Sequence, residues 1–335
     1  MITLSDRVKH TPAWQTELAT VITDPAELLR RLRLDQALLP AARHAARLFP
    51  LRAPLSYVAR MKPGDPDDPL LRQVLPLHIE CEDAPGFIAD PVGDLDAMPV
   101  PGLLHKYHGR VLLIATAACA VHCRFCFRRH FPYGNARPSG DSWRLALDYI
   151  AADHSIGEVI LSGGDPLSLN DRRLSELVSR IEAINHVQRL RIHTRQPVVL
   201  PARVDDMLLG WLDETRLRKI FVVHVNHANE LDAAVAGALN RLKSVEVTLL
   251  NQCVLLRGVN DSVAALRGLS EALFKAGVLP YYLHLLDRVQ GAAHFDVSAA
   301  RGLELIGDLS DSLPGYLVPR LVTERAGDSA KRWIS

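Results

Sequence analysis

The reading of the fold turns on Val111-Leu-Leu-Ile-Ala115 and the text that follows it, Cys119-Ala-Val-His-Cys123-Arg-Phe-Cys126. A short apolar run bounded by turn residues reads as a buried parallel strand. The loop leaving it carries three cysteines at C-x3-C-x2-C spacing, close enough to grip one metal centre from one side. Iron–sulfur cubanes normally take four cysteines, so three from a single loop leave one iron open to a small ligand. The alternative is a structural zinc site closed by a fourth protein ligand, with His122 and His130 nearby. Against zinc, the spacing is not the paired C-x2-C pattern and no second pair exists to complete one. Five cysteines, an odd number, point to a reducing compartment rather than to disulfides.

Outward from this stretch, strands alternate with helices. The candidate strands are 111–115, 158–162, 189–194, 219–225, 246–255 and 280–286, each rich in Val, Ile and Leu. Amphipathic helical text lies between them at Trp143 to Ala152, Asp171 to Ile184, Glu230 to Leu242, Ser262 to Ala276 and Ser298 to Leu309. Such alternation gives an α/β fold, either a partial, open (β/α)6 barrel or a doubly wound sheet. The polar residues favour the barrel, which gathers its chemistry at the C-terminal ends of its strands. After the cysteine loop, the unusual side chains fall at those ends in turn: Ser162-Gly-Gly-Asp165, His193-Thr-Arg195, His224-Val-Asn226-His227, Asn251-Gln252 and Asp287.

Residues 1–100 read as a helical extension that ends in a strap, 101–312 as the core, and 313–335 as a tail. Helices are expected from Asp24, whose carboxylate caps a Pro-led first turn, from Pro40 to Phe49, and from Pro54 to Met61. Pro- and Gly-rich text at 89–102 is the strap. No catalytic constellation is apparent in this region, and Cys81 reads as an incidental thiol. The chain of 335 residues is 48% hydrophobic and 23% charged with a formal net charge of +1, which gives no long-range pull on nucleic acid or an anionic membrane. The opening Met1 to Lys9 lacks a cleavable apolar core, no run is long enough for a membrane span, and a cytoplasmic location is expected.

Three cysteines at this spacing just after a first strand resemble the radical S-adenosylmethionine enzymes, whose cores are partial (β/α)6 barrels. Cys126-Phe-Arg128-Arg129 and Leu161-Ser-Gly-Gly-Asp165-Pro are similar, more narrowly, to the lysine 2,3-aminomutase family. The resemblance implies a [4Fe–4S] cluster on Cys119, Cys123 and Cys126, and S-adenosylmethionine held by Gly163, Gly164, Asp165 and His224. It implies pyridoxal 5′-phosphate on Lys331, in the tail Leu321-Val-Thr-Glu324-Arg-Ala-Gly-Asp-Ser-Ala-Lys331. Tyr107 and Arg110 resemble the family's phosphate-binding segment and Gln252 a residue near the cofactor ring. Arg128 matches its carboxylate clamp and Asp287 its partner for the substrate ε-ammonium, with Glu324 as a second anion.

The chain departs from the family pattern in its reduced glycine run, its missing C-terminal extension, and Glu324 in place of an aspartate. These features resemble the shorter, EpmB-type branch that makes (R)-β-lysine from L-lysine for attachment to elongation factor P. The implied partners are lysine, an electron donor for the cluster, and a functional link to elongation factor P and its lysyl-ligase. A free-lysine catabolic enzyme, an aminomutase for another amino acid such as glutamate, and a non-enzymatic zinc protein are the competing readings.

Overall fold

A computed structural model describes residues 11–136 and 140–335. The opening Met1 to Lys9, read above as lacking a leader, lies outside them. The fold is α/β and is built on a single mixed sheet of nine strands in sequential order. The strands are β1 (Leu103–Tyr107), β2 (Arg110–Thr116), β3 (Glu158–Gly163), β4 (Arg189–Thr194), β5 (Arg218–Val223), β6 (Thr248–Val254), β7 (Leu279–His284), β8 (Arg320–Thr323) and β9 (Arg332–Trp333). Strands β2 to β8 run parallel, while β1 and β9 pair antiparallel at the two ends.

All six expected strands are present, within a few residues of their expected bounds. The sequential order has no reversal point, which a doubly wound sheet requires. The sheet also curves, because Lys106 of β1 forms an ion pair with Glu324, one residue past β8. Three strands were not anticipated. The β1–β2 hairpin turns at His108-Gly109, where Gly109 takes φ +74°, a conformation that costs glycine little. The expected tail supplies β8 and β9, so it continues the sheet rather than hanging from it.

The longer inter-strand helices are Gly140–Ala152, Asp171–Glu182, Asp206–Glu214, Ala233–Ser244, Val263–Lys275 and Ala299–Ser312. Side-chain caps at Asn170, Asp205, Asp232, Ser262 and Ser298 start five of them, each contributing about 1 kcal/mol. The helix expected from Glu230 begins later, at Ala233. Glu230 sits instead in a preceding 3-10 turn, fully buried. Leucine, isoleucine and valine from the strands and from the inner helix faces form the main core, including Val159, Leu161, Ile192, Phe221 and Leu283.

The N-terminal segment folds as the helices Ala13–Ala19, Pro25–Arg31, Leu39–Leu48 and Leu55–Val58, followed by short 3-10 turns. Its apolar side chains form a second core around Trp14, Leu28, Leu29 and Tyr57, which also takes in Ala120 and Val121 of the cysteine loop and Val199 and Leu200 after β4. The cysteine loop is therefore packed from behind by the N-terminal segment. Among the described residues no helix is long and apolar enough to cross a membrane.

Candidate functional site

The C-terminal ends of the parallel strands surround a cavity of about 440 Å³. All three loop cysteines line it, as do Ser162, Gly163, Gly164, Asp165, Arg195, His224, Gln252, Asp287, Glu324 and Lys331. The strand-end pattern thus converges on one chamber, except for Asn226, His227 and Asn251, which do not line it. Cys119, Cys123 and Cys126 are free thiols. Burial and mutual proximity push the Cys126 thiol up to about 11 and raise that of Cys119 as well. Three thiolates so close repel one another unless a cation neutralises them, which suits a metal centre. His122 and His130 do not close the ligand set. Their rings bind the Pro50 and Gln290 carbonyls, and neither lines the cavity.

Two charged knots hold the cysteine loop. Arg124 and Glu80 are both fully buried and paired, with Arg129 on the same carboxylate at 3.0 Å. Arg195 Nη1 lies 2.8 Å from Cys123 Sγ. The turn after β3 packs directly on this loop, for a Cβ on Gly164 would lie 2.4 Å from the Ala118 carbonyl oxygen. Gly163 takes φ +112° and is similarly crowded by Thr116 and Ile114. Its carbonyl accepts a hydrogen bond from the Tyr133 hydroxyl at 2.8 Å. Both oxygens of Asp165 are engaged, accepting from the Thr194 hydroxyl and from the backbone N–H groups of Leu167, Arg195 and Gln196. Asp165 thereby ties the end of β3 to the end of β4.

From Arg128, just past the last loop cysteine, an alternating chain of charges runs along the chamber to Lys331. Arg128 Nε donates to Asp94 at 2.7 Å, and Asp94 pairs with Lys106 at 2.6 Å. Lys106 reaches Glu324 at 2.9 Å, and Glu324 pairs with Lys331 at 2.7 Å. Burial opposes the charge on Glu324, but Lys331 and Lys106 outweigh it and hold the carboxyl well below its usual range. Asp287 has the reverse balance. Burial and the neighbouring Glu324 raise it to about 7, with Lys331 and Lys106 acting against them. Arg128 also donates from Nη1 to Ser162 at 3.2 Å, and its Nη2 has no hydrogen-bond partner among the described residues.

Tyr107 and Arg110 face each other across the hairpin, with the guanidinium carbon 4.7 Å from the ring centre. The Tyr107 hydroxyl is buried and makes no well-formed hydrogen bond, and Arg110 has no carboxylate partner among the described residues. A buried hydroxyl whose neighbour is the Glu324 carboxylate, without a well-formed bond to it, beside a guanidinium with no carboxylate partner can face a phosphate dianion. Gln252 Nε2 lies 2.7 Å from His224 Nε2, and burial holds His224 down to about 3, so the neutral ring accepts this bond. His193 and His284 are buried close by with unpartnered Nε2 atoms, and both stay neutral for the same reason.

The chain is similar along nearly its whole length to proteins of known family. It is 51% identical over 319 residues to the L-lysine 2,3-aminomutase of Escherichia coli strain K12, covering 95% of this chain and 93% of that one. It is 48% identical over 324 residues to the L-lysine 2,3-aminomutase of Haemophilus influenzae, covering 97% and 96%. This chain belongs to the lysine 2,3-aminomutase family of radical S-adenosylmethionine enzymes. A family described as a 4Fe-4S single cluster domain matches residues 108–194, which span the cysteine loop and the ends of β3 and β4. The L-lysine 2,3-aminomutase of Clostridium subterminale is 37% identical over 281 residues, which are 82% of this chain and 66% of that longer one. Lysine 2,3-aminomutases are isomerases, and membership brings a [4Fe–4S] cluster, S-adenosylmethionine and pyridoxal phosphate as cofactors.

Beside the expected residues, the aminomutase chamber contains several that sequence reading passed over. Asp94 comes from the strap and Lys106 from the unanticipated β1. Glu80 and Gln73, like Asp94, come from the N-terminal region, where no functional constellation was apparent, yet they anchor the arginines beside the cysteines. Cys81 does lie outside the cavity, next to His44 and His78 on the surface, and Cys253 packs in the main core at the edge of the cavity.

Proposed function

We propose that this protein is a lysine 2,3-aminomutase that converts L-α-lysine to (R)-β-lysine, with elongation factor P as the destination of the product. The observation that carries the reading is a single chamber lined both by the three cysteines and by Lys331, Asp287 and Glu324. When bound, the cluster and S-adenosylmethionine supply a hydrogen-abstracting radical, and pyridoxal phosphate supplies the C=N bond across which nitrogen migrates. The protein's share is placement and exclusion of water.

Cys119, Cys123 and Cys126 hold the cluster. Gly163 and Gly164 present bare backbone to the methionine amino group, Asp165 fixes that turn, and His224 adds a neutral ring. Tyr107 and Arg110, with Lys106 beside them, hold the phosphate, Lys331 carries the aldehyde, and Gln252 lies by the cofactor ring. The free Nη2 of Arg128 takes the substrate carboxylate, and Asp287 with Glu324 takes the ε-ammonium. Two carboxylates repel in a buried chamber unless a cation lies between them. That favours lysine over glutamate, whose side chain would add a third anion. Support for the branch comes from likeness, since the chain is 51% and 48% identical to the Escherichia and Haemophilus relatives but 37% identical to the clostridial one.

The test is product analysis by chiral chromatography after anaerobic incubation with reductant, S-adenosylmethionine, pyridoxal phosphate and L-lysine. (R)-β-lysine is expected, and no turnover of lysine alongside turnover of glutamate would overturn the reading. Adding elongation factor P and its lysyl-ligase should then give a mass increase on the factor that depends on this enzyme. The electron donor is expected to be a small redox protein or a chemical reductant in its place.

A further inference from the structure

Arg195, the first residue after β4, is held on almost every side. Its Nη1 donates to Cys123 Sγ at 2.8 Å. Its Nη2 contacts Gln73 Oε1 at 2.5 Å, Glu230 Oε2 at 2.9 Å and the Tyr57 hydroxyl at 3.2 Å. Glu230 is fixed in its turn by the backbone N–H groups of Asn226 and His227 and by Gln73 Nε2. The guanidinium lies between the rings of Tyr57 and Phe125, 5.4 and 5.6 Å from their centres. Tyr57, Gln73 and Glu230 are completely buried. Taking both charges of this pair out of water is costly, and removing one partner leaves the other buried and uncompensated. Here the geometry aims a permanent cation at one cluster cysteine.

Hydrogen bonds to cluster sulfurs and nearby net charge set reduction potential. Adding an electron makes the cluster more negative, so an N–H donor and a positive charge stabilise the reduced form. A carboxylate behind that cation moderates the effect, and low polarity amplifies both. We propose that Arg195, positioned by Glu230, sets the reduction potential of the cluster through Cys123. The inference rests on the cysteine ligation proposed above. Arg195 is on this view a positioning residue for the electron-transfer step, and Glu230 a counterweight that keeps the potential from rising too far.

The test is a redox titration of anaerobically reconstituted holoenzyme, followed by electron paramagnetic resonance, with iron and sulfide counted per chain. Arg195→Met should keep its cluster while its potential becomes more negative. A tenfold lower ratio of reduced to oxidised cluster at fixed donor potential is expected, which is about 59 mV for one electron. Glu230→Gln leaves the guanidinium uncompensated and should shift the potential in the opposite direction. Opposite shifts are the signature, because a merely structural defect would lower iron content in both variants alike. Unchanged potentials in both would overturn the proposal. So would loss of the cluster in both, or an unchanged potential in Arg195→Met with weakened S-adenosylmethionine binding, which would make Arg195 a ligand of that cofactor. A wild-type protein holding zinc and no iron would instead overturn the cysteine assignment on which the inference rests.

Discussion

Lys106 Nζ lies 2.9 Å from Glu324 Oε1 and 2.6 Å from Asp94 Oδ1, so one ammonium joins the first hairpin of the sheet, the strap before it and the end of β8. These three segments are distant in sequence. Their meeting joins three parts of the chamber wall and presets the positions of Arg128 and Lys331 through their shared carboxylates.

Removing that ammonium should therefore be costly. Lys106→Met leaves two largely buried carboxylates without their common cation, and breaking a buried pair from one side destabilises by about 3–5 kcal/mol. Chemical denaturation should show a loss of that order, with Lys106→Arg recovering most of it. A midpoint unchanged in Lys106→Met would show that the three segments are held together by other means.

Asp287 should impose a pH dependence on lysine binding. Its carboxyl is raised to about 7 in the empty chamber, so below that pH it is mostly protonated and cannot pair with an ammonium. Affinity for lysine should increase as pH rises through about 7 and level off above it, with proton release on binding below that value. The Michaelis constant measured from pH 6 to 8 checks this. Asp287→Asn should flatten the profile and raise the constant roughly thirtyfold or more, equivalent to about 2 kcal/mol.

Lys331→Ala should abolish pyridoxal-dependent absorbance and β-lysine formation while leaving iron content unchanged, because the side chain meets Glu324 and none of the cysteines. Substantial product from this variant would move the cofactor attachment elsewhere.

Gly164→Ala tests the contact between the β3 turn and the cysteine loop. The added methyl would sit 2.4 Å from the Ala118 carbonyl oxygen and 2.7 Å from the Ala117 carbonyl carbon, both backbone atoms that cannot turn aside. Overpacking of this kind costs about 1–3 kcal/mol, and displacement of the loop should lower the iron bound per chain. Full iron content at wild-type stability would mean that the turn can move independently of the loop.

The parts of this design that were legible in the sequence share a local cause. A buried parallel strand is a short apolar run, and a polar side chain at its C-terminal end stands out against it. Cys119, Asp165, His224, Gln252 and Asp287 could each be placed that way, and the structure brings all of them to one chamber. Strand β1 was missed because Leu103-Leu-His-Lys-Tyr107 alternates only weakly and ends in a two-residue turn. Strand β8 was missed because its four residues lie in text that reads as a terminal tail. Asp94, Glu80 and Gln73 were illegible for a different reason. Each acquires its role from a partner 34 or more residues away, Arg128, Arg124 and Arg195 respectively, and no periodicity records such a pairing.

The burial of Glu80 against Arg124 also bears on how the enzyme matures. The cysteine loop is braced by a carboxylate from the N-terminal third, so a fragment beginning at the first strand would lack the brace and leave two guanidinium groups stranded in apolar surroundings. Such a fragment is expected to load less iron than the whole chain.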